Sequence, residues 1–212
     1  MHRLELSLVL GCSALFLGTC FAADCVAYKK LPAIYINVPD WSKTIVQPRK
    51  EMDLLHGNVV ATMVDNYQIN ADVVPVDGGF CVGLKSVNAI VGYNDFVVNI
   101  DMRHIPESCE YNAVLAHEDK HIKTYLSVID DFKGELQKSI YSAAQSVMPR
   151  FVKNRHLVDG VIEKMNDELQ SHPDVVLVKQ KIFADVEIRN KQIDRAESGD
   201  ELKKCKVQLM NE

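Results

Sequence analysis

Between Ser108 and Pro149 the chain carries one long helical pattern, and its length constrains everything else. Ser108 follows Pro106 and offers an N-cap hydroxyl, while Pro149 ends the segment just after Val147. Ile122, Leu126, Ile129, Leu136, Ile140 and Val147 recur at steps of three and four. That is a coiled-coil-like seam, broken by Lys133 and the small Ala143. Forty helical residues would run about 60 Å at 1.5 Å each, long for a single domain, so Gly134 is the candidate point for a bend.

More helix follows. Phe151, Val158, Val161, Met165 and Leu169 give a return helix an inward face, and Pro173 either interrupts it or starts another. Val175, Val178, Ile182, Val186 and Ile193 line that next stretch, which ends at "ESGDE". The half before Ser108 is mixed. "AIYINVP" alternates in the manner of a strand, and "FCVGLKSVNAIVGYNDFVVNID" reads as a hairpin of two strands about a turn at Gly92–Asn94. In "PRKEMDLLHGNVVATMVDNY", Met52, Leu55, Val59, Met63 and Tyr67 fall at helical steps behind Pro48, which predicts a helix. No repeat, low-complexity tract or linker divides the chain. The expected class is therefore α+β, a small N-terminal antiparallel sheet followed by a long helix and a C-terminal helical hairpin.

Inside the long helical pattern stands "VLAHEDKHIKTY". Residues four apart share a helix face, so His117 and His121 can aim both imidazoles at one point. Two imidazoles there suit a zinc ion at about 2.0–2.1 Å from each nitrogen. Glu118 neighbours the first of them and need not touch the metal. Its carboxylate can take a proton from a water that the metal has acidified and hand it to a leaving amine. This is the chemistry of an HExxH site, written here as "HEDKH". The same face carries Val114, Tyr125 and Val128, so it is largely apolar and points both histidines into a groove rather than to open solvent.

The third ligand is open at this stage. The extended pattern with glycine and a third histidine fails, because Thr124 and Ser127 hold those positions. Glu135, His156, Asp185, Glu187, Asp194 and Glu197 are the candidates, and Glu135 qualifies only if the helix turns before it. Folding back about Pro149 places residues near 175–185 opposite the motif and favours the later acids. Tyr111, Tyr125 and His156 are candidates to stabilise an oxyanion.

The N-terminus sets the compartment. Residues 1–22 have Arg3, an apolar run from Leu6 to Leu17 and small residues at Cys20 and Ala22, the plan of a secretory signal peptide. "LGTC" also offers a lipoprotein reading, with Cys20 lipidated and the membrane a partner only in that case. Cleavage after Ala22 leaves residues 23–212 as one domain with Cys25, Cys81, Cys109 and Cys205, an even set that reads as two disulfides. Three pairings are possible. A net charge of −5 argues against a nucleic-acid partner or an anionic membrane surface.

With its exported N-terminus, sheet, "SCEYNAVLAHEDKHIKTYLSVID" and long helices, the chain resembles a bacterial family described as predicted secreted zinc-dependent proteases. In that family a tyrosine–aspartate pair and a threonine–x–histidine–glycine ending follow the HExxH helix. "QIDRAESGD" is the counterpart here: Asp194 matches the aspartate, and Ile193 replaces the tyrosine. No histidine occupies the ending, which leaves Glu197 or Asp200 as substitutes if that histidine is a ligand. The resemblance implies a zincin-like fold, zinc at His117 and His121, Glu118 as catalytic base, and a peptide or protein substrate. The expected function is a periplasmic or extracellular zinc-dependent peptidase. A non-catalytic envelope protein whose helical hairpin binds a partner, and a cell-wall amide hydrolase using the same metal, are the alternatives.

Overall fold

A computed structural model of the chain describes residues 24–48, 56–196 and 202–205. The signal sequence read at residues 1–22, and Glu197 and Asp200 among the metal candidates, lie outside the described residues. The elements run β1 (Ala33–Asn37), β2 (Ser42–Val46), β3 (Gly57–Val76), β4 (Gly79–Ile100), α1 (Cys109–Ser146), β5 (Arg150–Val152), α2 (Val158–Gln170) and α3 (Pro173–Ala196). Short 3₁₀ turns at Cys25–Tyr28 and Arg155–Leu157 precede β1 and α2. The class is mixed helix and sheet, as expected.

The sheet is built round β4. On one side β3 pairs with it antiparallel over its whole length, from Gly57↔Ile100 to Val76↔Gly79. Three short strands also pair with β4: β5 antiparallel at Phe80–Val82, β1 parallel from Ser86 to Ile90, and β2 parallel from Asp95 to Asn99. The sheet is therefore mixed rather than antiparallel, which corrects the first expectation. β4 has partners along most of both edges, whereas β3, among the described residues, pairs only with β4.

Two further expectations fail here for identifiable reasons. The helix predicted over 48–67 is strand from Gly57 onward, while Met52 and Leu55 lie outside the described residues. Val59, Met63 and Tyr67 are four apart, and four is also a multiple of two. They belong to the inward set Val59, Ala61, Met63, Tyr67 and Ile69, which packs on the core at strand period. The periods coincide at those positions, and β-branched Val60, Thr62 and Val64 decide for strand.

The predicted turn at Gly92–Asn94 is likewise continuous strand. The reversal lies at Asp77–Gly78, where Gly78 takes φ 74°. Gly92 is needed for close packing instead, since a Cβ there would stand 2.8 Å from Pro39 Cδ. Asn94 is a bulge: Thr62 pairs with Asp95 and Met63 with Tyr93, leaving Asn94 without an opposite number. Lys85 is a second, between the Asn70↔Ser86 and Ala71↔Leu84 pairs.

Each bulge resets which side chains face inward. Leu84, then Val87, Ala89, Val91 and Tyr93, then Phe96, Val98 and Ile100 all enter one buried cluster. α1 and α3 lie across that face. From α1 come Val114, Ile122, Val128, Ile129, Leu136 and Ile140, and from α3 Val175, Val178, Ile182 and Val186. The helix begins as expected, with Ser108 Oγ accepting from the Tyr111 backbone N–H at 3.2 Å. It continues through Gly134 as one α-helix of 38 residues, so no break occurs there. Phe151 belongs to β5 rather than to a helix, and Pro173 starts α3.

α3 runs antiparallel to α1. Lys181 pairs with Glu135 of α1, and Arg189 reaches Asp131 at 2.8 Å. Lys179 ties α3 to the sheet through Asp65 at 2.7 Å. The disulfides are Cys25–Cys81, which fastens the first 3₁₀ turn to β4, and Cys109–Cys205, which returns the chain beyond α3 to the start of α1. Among the described residues no helix is long and apolar enough to cross a membrane.

Candidate metal centre

The antiparallel register brings two pairs of residues, each one helical turn apart, face to face. α1 presents His117 and His121, and α3 presents Asn190 and Asp194. His117 Nε2 and His121 Nε2 are 3.1 Å apart. Asp194 Oδ1 stands 3.3 Å from the first and 3.1 Å from the second. Among the described residues this is the one set of three or more His, Cys, Asp or Glu residues close enough to hold a metal ion.

The triangle fits the face of a tetrahedral site. With ligands at about 2.0–2.1 Å, tetrahedral geometry puts neighbouring donor atoms roughly 3.3 Å apart. The chemistry fits as well. Three lone-pair-bearing atoms converge, and a single proton can bridge only one pair of them at a time. A cation at their centre satisfies all three. His121 is nearly buried, His117 is half-buried and Asp194 is exposed, so the site opens on the side of the acid.

Glu118, the residue after His117, reaches toward the beginning of β3. It is 3 % exposed. Gly57 makes room for it, since a Cβ at that position would stand 2.7 Å from Glu118 Oε1 and 2.7 Å from Val114 Cγ1. Burial pushes the Glu118 carboxyl up to about 7; the His121 charge opposes the rise, and the negative charges of Asp194 and Asp119 add to it. Asp119 is held by Lys43 of β2 at 2.9 Å. A buried carboxyl that changes charge near neutrality beside a cluster of metal-ligand type is the electrostatic profile of an acid–base group.

Of the six sequence candidates for a third ligand, the structure brings Asp194 to the histidines. Glu135 is paired with Lys181, Asp185 with Arg189 and Glu187 with Lys191. His156 lies in the turn before α2 and is not in the group. The expectation that residues near 175–185 would face the motif fails because the chain does not fold straight back at Pro149. β5 and α2 take up residues 150–170, and α3 returns along α1 only after them, which sets Asp194 opposite the motif. Tyr125, an oxyanion candidate, packs edge-on against Tyr93 with ring centroids 4.7 Å apart. Its hydroxyl bonds the side chain of Asn190, and burial is the main cause that raises its pKa. Tyr111 packs against the apolar core. β2 and β3 flank the "DFVVNID" part of β4, so that stretch offers no open edge to an extended peptide.

Sequence reasoning missed Asn190, whose only signal was its place one turn before Asp194, and Gly57, which lies in the segment predicted as helix. Comparison with protein-family models, curated proteins and solved structures finds no match to the chain.

Proposed function

We propose that this chain is an exported metallohydrolase that cleaves peptide bonds, with His117, His121 and Asp194 as ligands to zinc and Glu118 as general base. The observation that carries the reading is the triangle of donor atoms with edges of 3.1, 3.3 and 3.1 Å, with the buried carboxyl of Glu118 directly after His117. A bound zinc ion would supply Lewis acidity, polarising both a water and the carbonyl under attack.

The chain's own residues supply the proton traffic and the positioning. Glu118 accepts a proton from the attacking water as the carbon–oxygen bond forms. It then gives that proton to the amide nitrogen as the carbon–nitrogen bond breaks, so it ends the cycle ionised as it began. Burial raises the affinity of the Glu118 carboxylate for a proton, which favours the first of these transfers. His117 and His121 keep their spacing because both project from one continuous helix whose inner face is locked in the core. Two disulfides agree with the oxidising setting of an exported protein.

Metal analysis of the purified mature chain should give about one zinc per molecule, and His117→Ala should lose it. Glu118→Gln should keep zinc and lose hydrolysis of an unfolded protein substrate. Zinc retained at full stoichiometry in His117→Ala would reject the site. Cleavage of a cell-wall amide, but of no peptide, would move the same chemistry to another substrate.

One observation favours the partner-binding alternative. α3 turns Leu177, Phe183 and Ile188 to solvent, each more than half exposed. A parent protein that binds zinc tightly yet hydrolyses neither substrate class would favour that reading.

A further inference from the structure

We infer that Asn190, anchored by Tyr125, is a positioning residue that fixes the ring tautomer of His121 and so turns its Nε2 lone pair toward the metal locus. The inference rests on the zinc reading above for its purpose, though not for its geometry. His121 Nδ1 lies 3.0 Å from Asn190 Oδ1. An amide oxygen only accepts, so Nδ1 must carry the ring hydrogen. A neutral imidazole has one such hydrogen, and Nε2 is therefore left as a bare donor atom. That atom is the one 3.1 Å from His117 Nε2 and 3.1 Å from Asp194 Oδ1.

The carbonyl oxygen of Asn190 is the atom turned to His121, and the same side chain also bonds the Tyr125 hydroxyl. Turned over, the amide would aim its NH₂ at Nδ1, drive the ring hydrogen onto Nε2 and close the ligand position. Tyr125 is in turn held by Tyr93 and Phe96, at ring separations of 4.7 and 5.9 Å. The chain of contacts thus runs from an aromatic cluster on β4 through Tyr125 and Asn190 to His121.

α3 accordingly supplies both halves of the complement to the histidine motif. Asp194 faces His117 and His121 as a third ligand, and Asn190, one turn earlier, holds the second histidine from behind. Partners of this kind on the rear nitrogen of a ligating histidine keep the ring oriented, and losing them typically weakens metal binding by about 10–100-fold.

The test uses the full mature chain. Zinc affinity is measured by competition with a chromophoric chelator, and the His121 ring nitrogens are assigned by NMR in the metal-free protein. Asn190→Leu should weaken zinc binding by about 10–100-fold and move the His121 hydrogen to Nε2. Asn190→Asp keeps an acceptor at the same place and should retain the parent tautomer and most of the affinity. Tyr125→Phe keeps the ring packing, frees the amide to turn over, and should give an intermediate loss. A folded Asn190→Leu protein with parent affinity and parent tautomer would overturn the inference. A parent that binds no zinc would remove the metal reading, while the tautomer measurement would still decide the role of Asn190.

Discussion

The fold holds two close pairs of histidines, and they differ in nearly everything except distance. His117 and His121 bring ring nitrogens to 3.1 Å; His56 and His104 bring theirs to 3.0 Å. The first pair sits on one helix, with an acid oxygen completing a triangle, an amide behind one ring and a buried carboxyl beside it. The second joins the residue before β3 to the loop after β4, where a neighbouring acid, Asp101, is already held by the Arg103 side chain at 2.8 Å. Two imidazoles at contact distance are thus a weak sign of a metal site. What sets the first pair apart is a third donor atom from another element and an amide behind one ring.

That contrast can be broken by experiment. The largest effect should separate His117→Ala from His56→Ala: the first loses stoichiometric zinc, and the second keeps it. Loss of zinc in both, read by metal analysis after dialysis, would erase the distinction. Next comes catalysis. Glu118→Gln should lower turnover by about 10²–10⁴-fold, the usual worth of a general base, whereas His104→Gln should leave turnover near the parent value. Equal losses in a peptide-cleavage assay would mean that the second pair also serves the reaction.

A smaller effect should appear where the two regions meet, at Gly57 beside His56. Gly57→Ala forces a methyl against Glu118 Oε1, Val114 and the Asn99 carbonyl oxygen, the last at 3.1 Å. Overpacking of this kind costs about 1–3 kcal/mol, readable as a lower midpoint in urea unfolding. An unchanged midpoint would mean that Glu118 moves aside freely.

The smallest expected effect is one of pH. Burial first, then the charge of His56, hold His104 below its ordinary value of 6.5. The folded state therefore resists protonation there more than the unfolded chain does. The stability this group contributes is whole above about pH 6.5 and declines as pH falls from there toward the lower folded value. His104→Gln should flatten that part of the stability–pH curve, and an unchanged slope would show that the pair does not couple to folding.

Much of the site was legible because its parts are local. Ser108 and Pro149 bound α1, the three- and four-residue seam marks its inner face, and "HEDKH" places two histidines and an acid on it. Asp194 appeared only as one of six candidates, because the register between α1 and α3 depends on how much chain β5 and α2 take up between them, and sequence does not settle that. Asn190 was invisible for a related reason: an amide is a common helical surface residue until a histidine is placed opposite it. In the sheet, spacings shared by strand and helix misassigned Val59, Met63 and Tyr67. The Asp77–Gly78 turn signal was passed over for the glycine at 92, which serves packing against Pro39. The pairing of the four cysteines was one of three choices until the fold brought Cys25 to Cys81 and Cys109 to Cys205.

The two bulges on β4 give that strand something like a spatial reading frame. Side chains enter the core at 82 and 84, then at 87 through 93, then at 96 through 100, so the step is three instead of two at Lys85 and at Asn94. Each extra residue inverts the parity of all that follows, and the second undoes the inversion made by the first. Regular alternation carried on from Tyr93, with no bulge at Asn94, would present Asp95, Val97 and Asn99 inward and put Phe96, Val98 and Ile100 into water, at the end of the sheet where Gly57 meets Glu118. One extra residue of no chemical distinction thereby keeps the apolar floor beneath the buried acid.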